Sequence, residues 1–283
     1  MRFFILLTLL ISSIYAKPIL TNTNQIENSK YIGALKDLVI ATQKTRGLTN
    51  SYLNGNESTL LLIYGNKKEM KKAIGTMESL SLASDPIINK RATSISQALI
   101  KLNNKAFKQE SNFVFAQYTE LIEQTLMLAQ TVSRHGSKEL SPFGQETSIV
   151  MMEVFLPLCE YVGQLRGMGS GIVAKGNINK SKFNKMSVIL SEIDRLGNKL
   201  QIDMKIIVSK YKSNYDSSIL TKLFNIEKTM QEYTFLTKTE VLKNDIKLNA
   251  NNYFDQGTNL ITLIINVYNK NNEAILKDSK GWI

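Results

Sequence analysis

From Gln25 to Leu276 apolar residues recur at intervals of three and four, and no alternating run longer than a few residues interrupts them. A period near 3.6 gathers such residues on one face of a helix, whereas a strand needs a period of two. The chain is therefore expected to be all-α. Local signals cut the pattern into eight helices. The first runs from Gln25 to Asn54 and ends at Asn54-Gly55-Asn56. The second spans Glu57 to Ala83, with a weak point at Gly65-Asn66. Ser84-Asp85-Pro86 is a start signal, a capping side chain followed by Pro near the first helical position, and the third helix then reaches Phe107. The fourth runs from Ser111 to Ser133. His135-Gly136-Ser137 and Ser141-Pro142-Phe143-Gly144 form the clear mid-chain loop. The fifth helix runs from Glu146 to Lys175, bent at Pro157 and stopped at Gly176-Asn177. The last three span Lys180 to Lys212, Ser217 to Lys243 and Asn251 to Leu276. Short connections make antiparallel neighbours. The simplest assembly is two four-helix bundles, one from 25–134 and one from 146–276.

Composition removes several chemistries. With Cys159 alone no intramolecular disulfide forms, and with His135 alone a metal site built on several His or Cys ligands is excluded. No nucleotide-binding loop, nucleophile elbow or paired metal ligands are present, so neither an enzyme nor a cofactor is expected. Cys159 reads as a small core residue and His135 as an exposed loop residue. The net charge of +11 comes from 35 basic residues, of which six are Arg. The lysines are scattered, which reads as a solvated surface rather than a nucleic-acid patch. Residues 1–16 carry Arg2, an apolar run from Phe3 to Ile14 and Ala16, the pattern of a cleaved secretory signal too short for a comfortable membrane span. The mature protein, 17–283, is expected in the periplasm.

Two arginines sit where an apolar residue belongs. The inward stripe of the first helix reads Ile32, Leu35, Val39, Thr42, Arg46, Thr49, Leu53. That of the fifth reads Ile149, Met152, Leu156, Cys159, Gly163, Arg166, Ser170, Val173. Each Arg precedes a Gly, each motif leads to a Gly-Asn stop, and the two lie 120 residues apart, an internal repeat with one Arg motif per half. A guanidinium keeps its proton, and burying it unpaired is costly, so something anionic must meet it. One answer is a structural ion pair with Glu153 or Glu160. The other is a small oxyanion held between both forks, with Thr42, Thr49 and Ser170 adding hydroxyls and Gly163, Gly167 and Gly169 leaving room.

Gln43-Lys44-Thr45-Arg46-Gly47-Leu48 resembles the Gln-x-Glu-Arg-Gly-Leu motif of the nitrate- and nitrite-sensing (NIT) domain family. Leu165-Arg166-Gly167-Met168-Gly169-Ser170-Gly171 is similar to that domain's second Arg-Gly motif, and Tyr253-Phe254-Asp255-Gln256-Gly257-Thr258, followed by Ile261 and Ile265, to its C-terminal aromatic-Thr helix. The resemblance spans about 25 to 276. It implies an all-helical domain of two four-helix bundles and a nitrate or nitrite site built mainly from arginines. Family members join this domain to a receptor, a kinase or an RNA-binding antiterminator module, and no such module is read here. Thr45 replaces the family's Glu. A further basic contact from a later helix is expected, yet no Arg follows Arg195, and Arg195 and Lys228 both lie beside their helices' apolar stripes.

The expectation is thus an exported sensory domain that binds nitrate or nitrite through Arg46, Arg166, Thr42, Thr49 and Ser170. It would signal to a membrane receptor or kinase by helix rearrangement, with no nucleic-acid partner. The alternative is a structural or protein-interaction bundle with an internal Arg salt-bridge network and no ligand.

Overall fold

The computed structural model describes residues 17–279, apart from 54, 56, 244 and 245. The proposed signal segment, 1–16, lies outside them. Among the described residues there is no strand, and the helices follow in the order expected. They are α1 (Lys17–Leu53), α2 (Leu60–Glu78), α3 (Pro86–Lys105), α4 (Ser111–Arg134), α5 (Pro142–Val150), α6 (Leu156–Lys175), α7 (Lys180–Lys210), α8 (Ile219–Leu236) and α9 (Ala250–Ser279). A wide π turn, Met151–Phe155, joins α5 to α6 in one rod, so the helical rods number eight.

The start and stop signals act as their chemistry requires. Asp85 accepts from the backbone N–H of Ile87 at 2.9 Å and of Ile88 at 3.1 Å, ahead of Pro86. Gly176 takes a left-handed φ of 69° and closes α6, a conformation that disfavours a side chain. Gly65-Asn66 does not break α2, because glycine in a helix costs only about 1 kcal/mol. The mid-chain loop is shorter than expected. Ser141 Oγ accepts from the Gly144 N–H at 3.1 Å, so Ser141-Pro142 starts a helix as Asp85-Pro86 does, four residues before Glu146. Pro157 makes no lone bend. Its missing N–H and bulky ring fall just after the wide turn, in which the Leu156 N–H reaches back to the Met151 carbonyl. The extra residue turns Ile149 out of the expected stripe to 40% exposure, while Met151 and Met152 are fully buried.

Helices α1 to α4 pack as one bundle and α6 to α9 as the other, over a single continuous core. The bundles meet along α1, α6 and α9. Ser29 Oγ donates to Asn272 Oδ1 at 2.6 Å, and Tyr268 Oη donates to the Ile32 carbonyl at 2.9 Å. The rod Pro142–Lys175 is long and apolar enough to cross a membrane, but most of that apolar stretch is buried inside the molecule, as befits a central core helix.

Candidate anion site

Two contacts fix how α1 and α6 lie against each other. The Tyr268 hydroxyl touches both Ile32 and the sulfur of Met152, and the Gln43 side chain covers Gly163, where a Cβ would stand 3.4 Å from its Oε1. Both pairs are separated by 120 residues, the separation of Arg46 and Arg166. The helices therefore run parallel, and the two arginines stand level on them. Their charges reach each other, for Arg46 is among the groups that depress the proton affinity of Arg166.

Each Arg also finds the same motif on the last helix of its own bundle. The Arg46 guanidinium lies over the Phe115 ring at 4.9 Å, and its Nη1 donates to Thr119 Oγ1 at 3.0 Å. The Arg166 guanidinium lies over the Phe254 ring at 4.5 Å, and its Nη1 donates to Thr258 Oγ1 at 2.9 Å. Phe-x-x-x-Thr thus recurs on α4 and α9. The bundles are related by a pseudo-two-fold axis, and the weak repeat in the sequence is a repeat in space.

The symmetry fails at the counter-ion. Glu160 of α6 closes on Arg46, with Nη1 to Oε1 at 2.6 Å and Nη2 to Oε2 at 3.3 Å. Gln43 Nε2 donates to Oε2 at 2.7 Å and Gln164 Nε2 to Oε1 at 2.8 Å. Arg46 and Glu160 are each 2% exposed, and the paired carboxylate lies on the other bundle. Arg166 has no carboxylate within 4 Å among the described residues. Its Nε is buried without a hydrogen-bond partner. Burial lowers its pKa from the ordinary value, and Arg46 adds to that, while Tyr233 and Glu160 oppose it. The group stays protonated, since arginine does not titrate in proteins.

Two of the three expected hydroxyl donors are spent on their own helices. Thr42 Oγ1 donates to the Leu38 carbonyl at 2.7 Å and Ser170 Oγ to the Arg166 carbonyl at 2.7 Å, each on its own helix. Thr49 differs, for its Oγ1 is buried without a hydrogen-bond partner, beside Tyr118, whose hydroxyl donates to Asn103 Oδ1 at 2.7 Å. Thr45 donates to the Ala41 carbonyl at 2.8 Å. Glycine does not leave the room expected of it. A Cβ on Gly169 would stand 2.5 Å from the Tyr253 hydroxyl, and one on Gly257 2.6 Å from that of Tyr233, so these glycines admit tyrosine rings. Gly167 does face open space. Tyr253 is fixed in turn by Thr237, in a second π turn, through a 2.9 Å hydrogen bond.

The other expected residues lie apart. Arg195 pairs with Glu192 at 2.7 Å, and Lys228, well exposed, lies 3.9 Å from Glu232. Glu153 pairs with Arg134 at 3.0 Å instead of either core arginine. His135 Nε2 stands 2.8 Å from Asp85 Oδ2 and is 41% exposed. The buried Cys159 thiol is pushed up to about 12 by burial, then by Glu160, which keeps it unreactive.

No family model matches the chain, and no curated protein is a significant match. A solved structure, that of the NasR transcription antiterminator, is similar. It has a TM-score of 0.63 and 14% identity, over 96% of this chain and 74% of that one. At that identity the likeness shows the fold, a helical architecture shared along nearly the whole chain.

Proposed function

We propose that the protein is a NIT-like sensory domain that binds nitrate or nitrite, with Arg166 as the residue that holds the anion. The observation that carries this is the bare guanidinium. Arg46 is neutralised by a bidentate carboxylate, whereas its pseudo-symmetric twin is desolvated with none. A half-buried cation whose Nε is out of reach of solvent and unpartnered is stabilised by an anion from solution. Nitrate is planar, weakly hydrated and suited to a guanidinium fork. Two further facts support the reading. The sequence motifs resemble a family in which some members carry an antiterminator module, and the fold is similar to that of a transcription antiterminator. An anion here would tie α6 to α9, and it would shift the packing between bundles by its preference for one arrangement. No chemistry is proposed. Export to the periplasm and a receptor or kinase partner belong to the same proposal, without nucleic acid.

The Arg46–Glu160–Gln43–Gln164 network favours a second reading, a ligand-free bundle whose arginine is structural. Titration calorimetry of the 17–283 chain separates the two. Nitrate or nitrite should bind, and Arg166→Lys should weaken that binding about tenfold or more without changing the helical signal. A wild-type protein that binds no small oxyanion would establish the second reading.

A further inference from the structure

The pseudo-two-fold axis identifies the position opposite Arg166 that corresponds to Glu160 opposite Arg46. Shifted by the same 120 residues, it is Ile40 of α1. The two surroundings match. Glu160 lines a cleft of about 300 Å³ with Pro157, Gln164, Glu123 and Leu126. Ile40 lines one of about 390 Å³ with Asp37, Lys44, Thr262 and Ile265, the positions that correspond one by one. Thr262 Oγ1 donates to the Thr258 carbonyl, and Thr258 Oγ1 accepts from Arg166 Nη1, so the Ile40 cleft borders the Arg166 site. The carboxylate of one half is an apolar side chain in the other.

We propose that the ligand stands in for this missing carboxylate, and that Glu160 and Ile40 set its charge and shape. This rests on the reading of Arg166 as the anion-holding residue. Of the groups that act on Arg166, Tyr233 and Cys159 are kept neutral by burial, and Arg46 and Glu160 carry charge. Lys36 and Asp37 neutralise each other at 2.6 Å, as do Arg134 with Glu153 and Arg195 with Glu192. Lys44 and Glu69, which also line the Ile40 cleft, carry opposite charges, so the two guanidiniums and the Glu160 carboxylate leave a single positive charge. A monoanion neutralises it, whereas a dianion leaves an uncompensated negative charge in a desolvated place. A carboxylate at this position would offer the fork a planar group with two oxygens, as Glu160 does to Arg46. The ligand class is therefore a small planar monoanion, nitrate, nitrite or a short carboxylate, and tetrahedral dianions are rejected.

The test compares sodium nitrate, formate and sulfate at matched ionic strength, by calorimetry on the 17–283 chain and its variants. The wild type should bind nitrate and formate, with sulfate weaker by about tenfold or more. Glu160→Gln raises the site's net charge and should move the sulfate-to-nitrate ratio toward sulfate by about tenfold. Ile40→Glu supplies the missing counter-ion and should abolish nitrate binding with the circular dichroism unchanged. Equal wild-type affinity for nitrate and sulfate overturns the inference. So does an unchanged ratio in Glu160→Gln, or nitrate binding intact in a folded Ile40→Glu. Should either variant fail to fold, the wild-type ratio decides. A wild type that binds none of the three anions overturns the Arg166 reading itself.

Discussion

Arg46 and Arg166 stand level on parallel helices, each over a Phe ring and bonded to a Thr one turn away on the last helix of its bundle. One meets a carboxylate that two glutamine amides also hold, the other none. The difference separates two uses of a charge on a core-facing stripe. The first arginine joins the bundles, because its counter-ion comes from the opposite half. The second is held in place by stacking and one hydroxyl, and its charge remains available.

The largest effect that can break the comparison is expected at the paired site. Arg46→Met leaves Glu160 buried and unpaired, and it should cost about 3–5 kcal/mol in urea unfolding. A cost below about 1 kcal/mol would show that the pair does not hold the interface. The glycines come next. Gly169→Ala drives a methyl into the Tyr253 ring, with the nearest ring carbon 2.4 Å away, and should lose about 1–3 kcal/mol. Gly163→Ala meets only the end of Gln43 at 3.4 Å and should change stability by less than about 1 kcal/mol, through the helix preference of alanine. Equal costs at the two glycines would mean that α6 packs no more tightly against α9, in its own half, than against α1 of the other.

A smaller effect serves as reference, far from both arginines. Burial raises the pKa of Asp85, but the N–H groups of Ile88 and Ile87 and the His135 contact outweigh it, and the net shift is downward. A depressed folded value means that the stabilisation is present above the unfolded pKa, about 3.9, and is lost as pH falls through the folded value. Asp85→Asn should remove that acid-side loss from the stability profile between about pH 2 and 4. The smallest change is expected at Arg166→Met, within about 1 kcal/mol of wild type, since it strands no carboxylate. A cost like that of Arg46→Met would reveal a counter-ion for Arg166 and end the asymmetry.

The fold was legible because helix periodicity and capping are local. Asp85-Pro86 and Gly176 mark their ends through the side chain and φ that those ends require. The start at Ser141-Pro142 is harder to see in the sequence, because a Gly and a second Ser nearby give it the look of a loop. Arg46 and Arg166 stood out as charges on apolar faces. Glu160 was legible too, as the lone carboxylate from Val154 to Lys175, but which arginine it meets depends on the crossing of α1 and α6. Thr119, Phe115 and Tyr233 left no local sign. Their roles arise from packing between helices distant in sequence, and only the matching Phe-x-x-x-Thr spacing on α4 and α9 would have betrayed the first two.

The wide turn at Met151–Phe155 has a consequence for how the central rod tolerates change. A helix advances about 100° per residue, so one extra residue in a turn sets α5 out of phase with α6 by about that angle. The rod thus behaves as two shafts coupled at a fixed offset. α5 buries Phe143 and Thr147, while α6 presents Glu160 and Gly163 to α1. Deleting one residue within the turn would realign the shafts and rotate the buried face of α5 into water, with the Glu160 end still in register. The turn is a phase joint, and it lets the two ends of one helix answer to different neighbours.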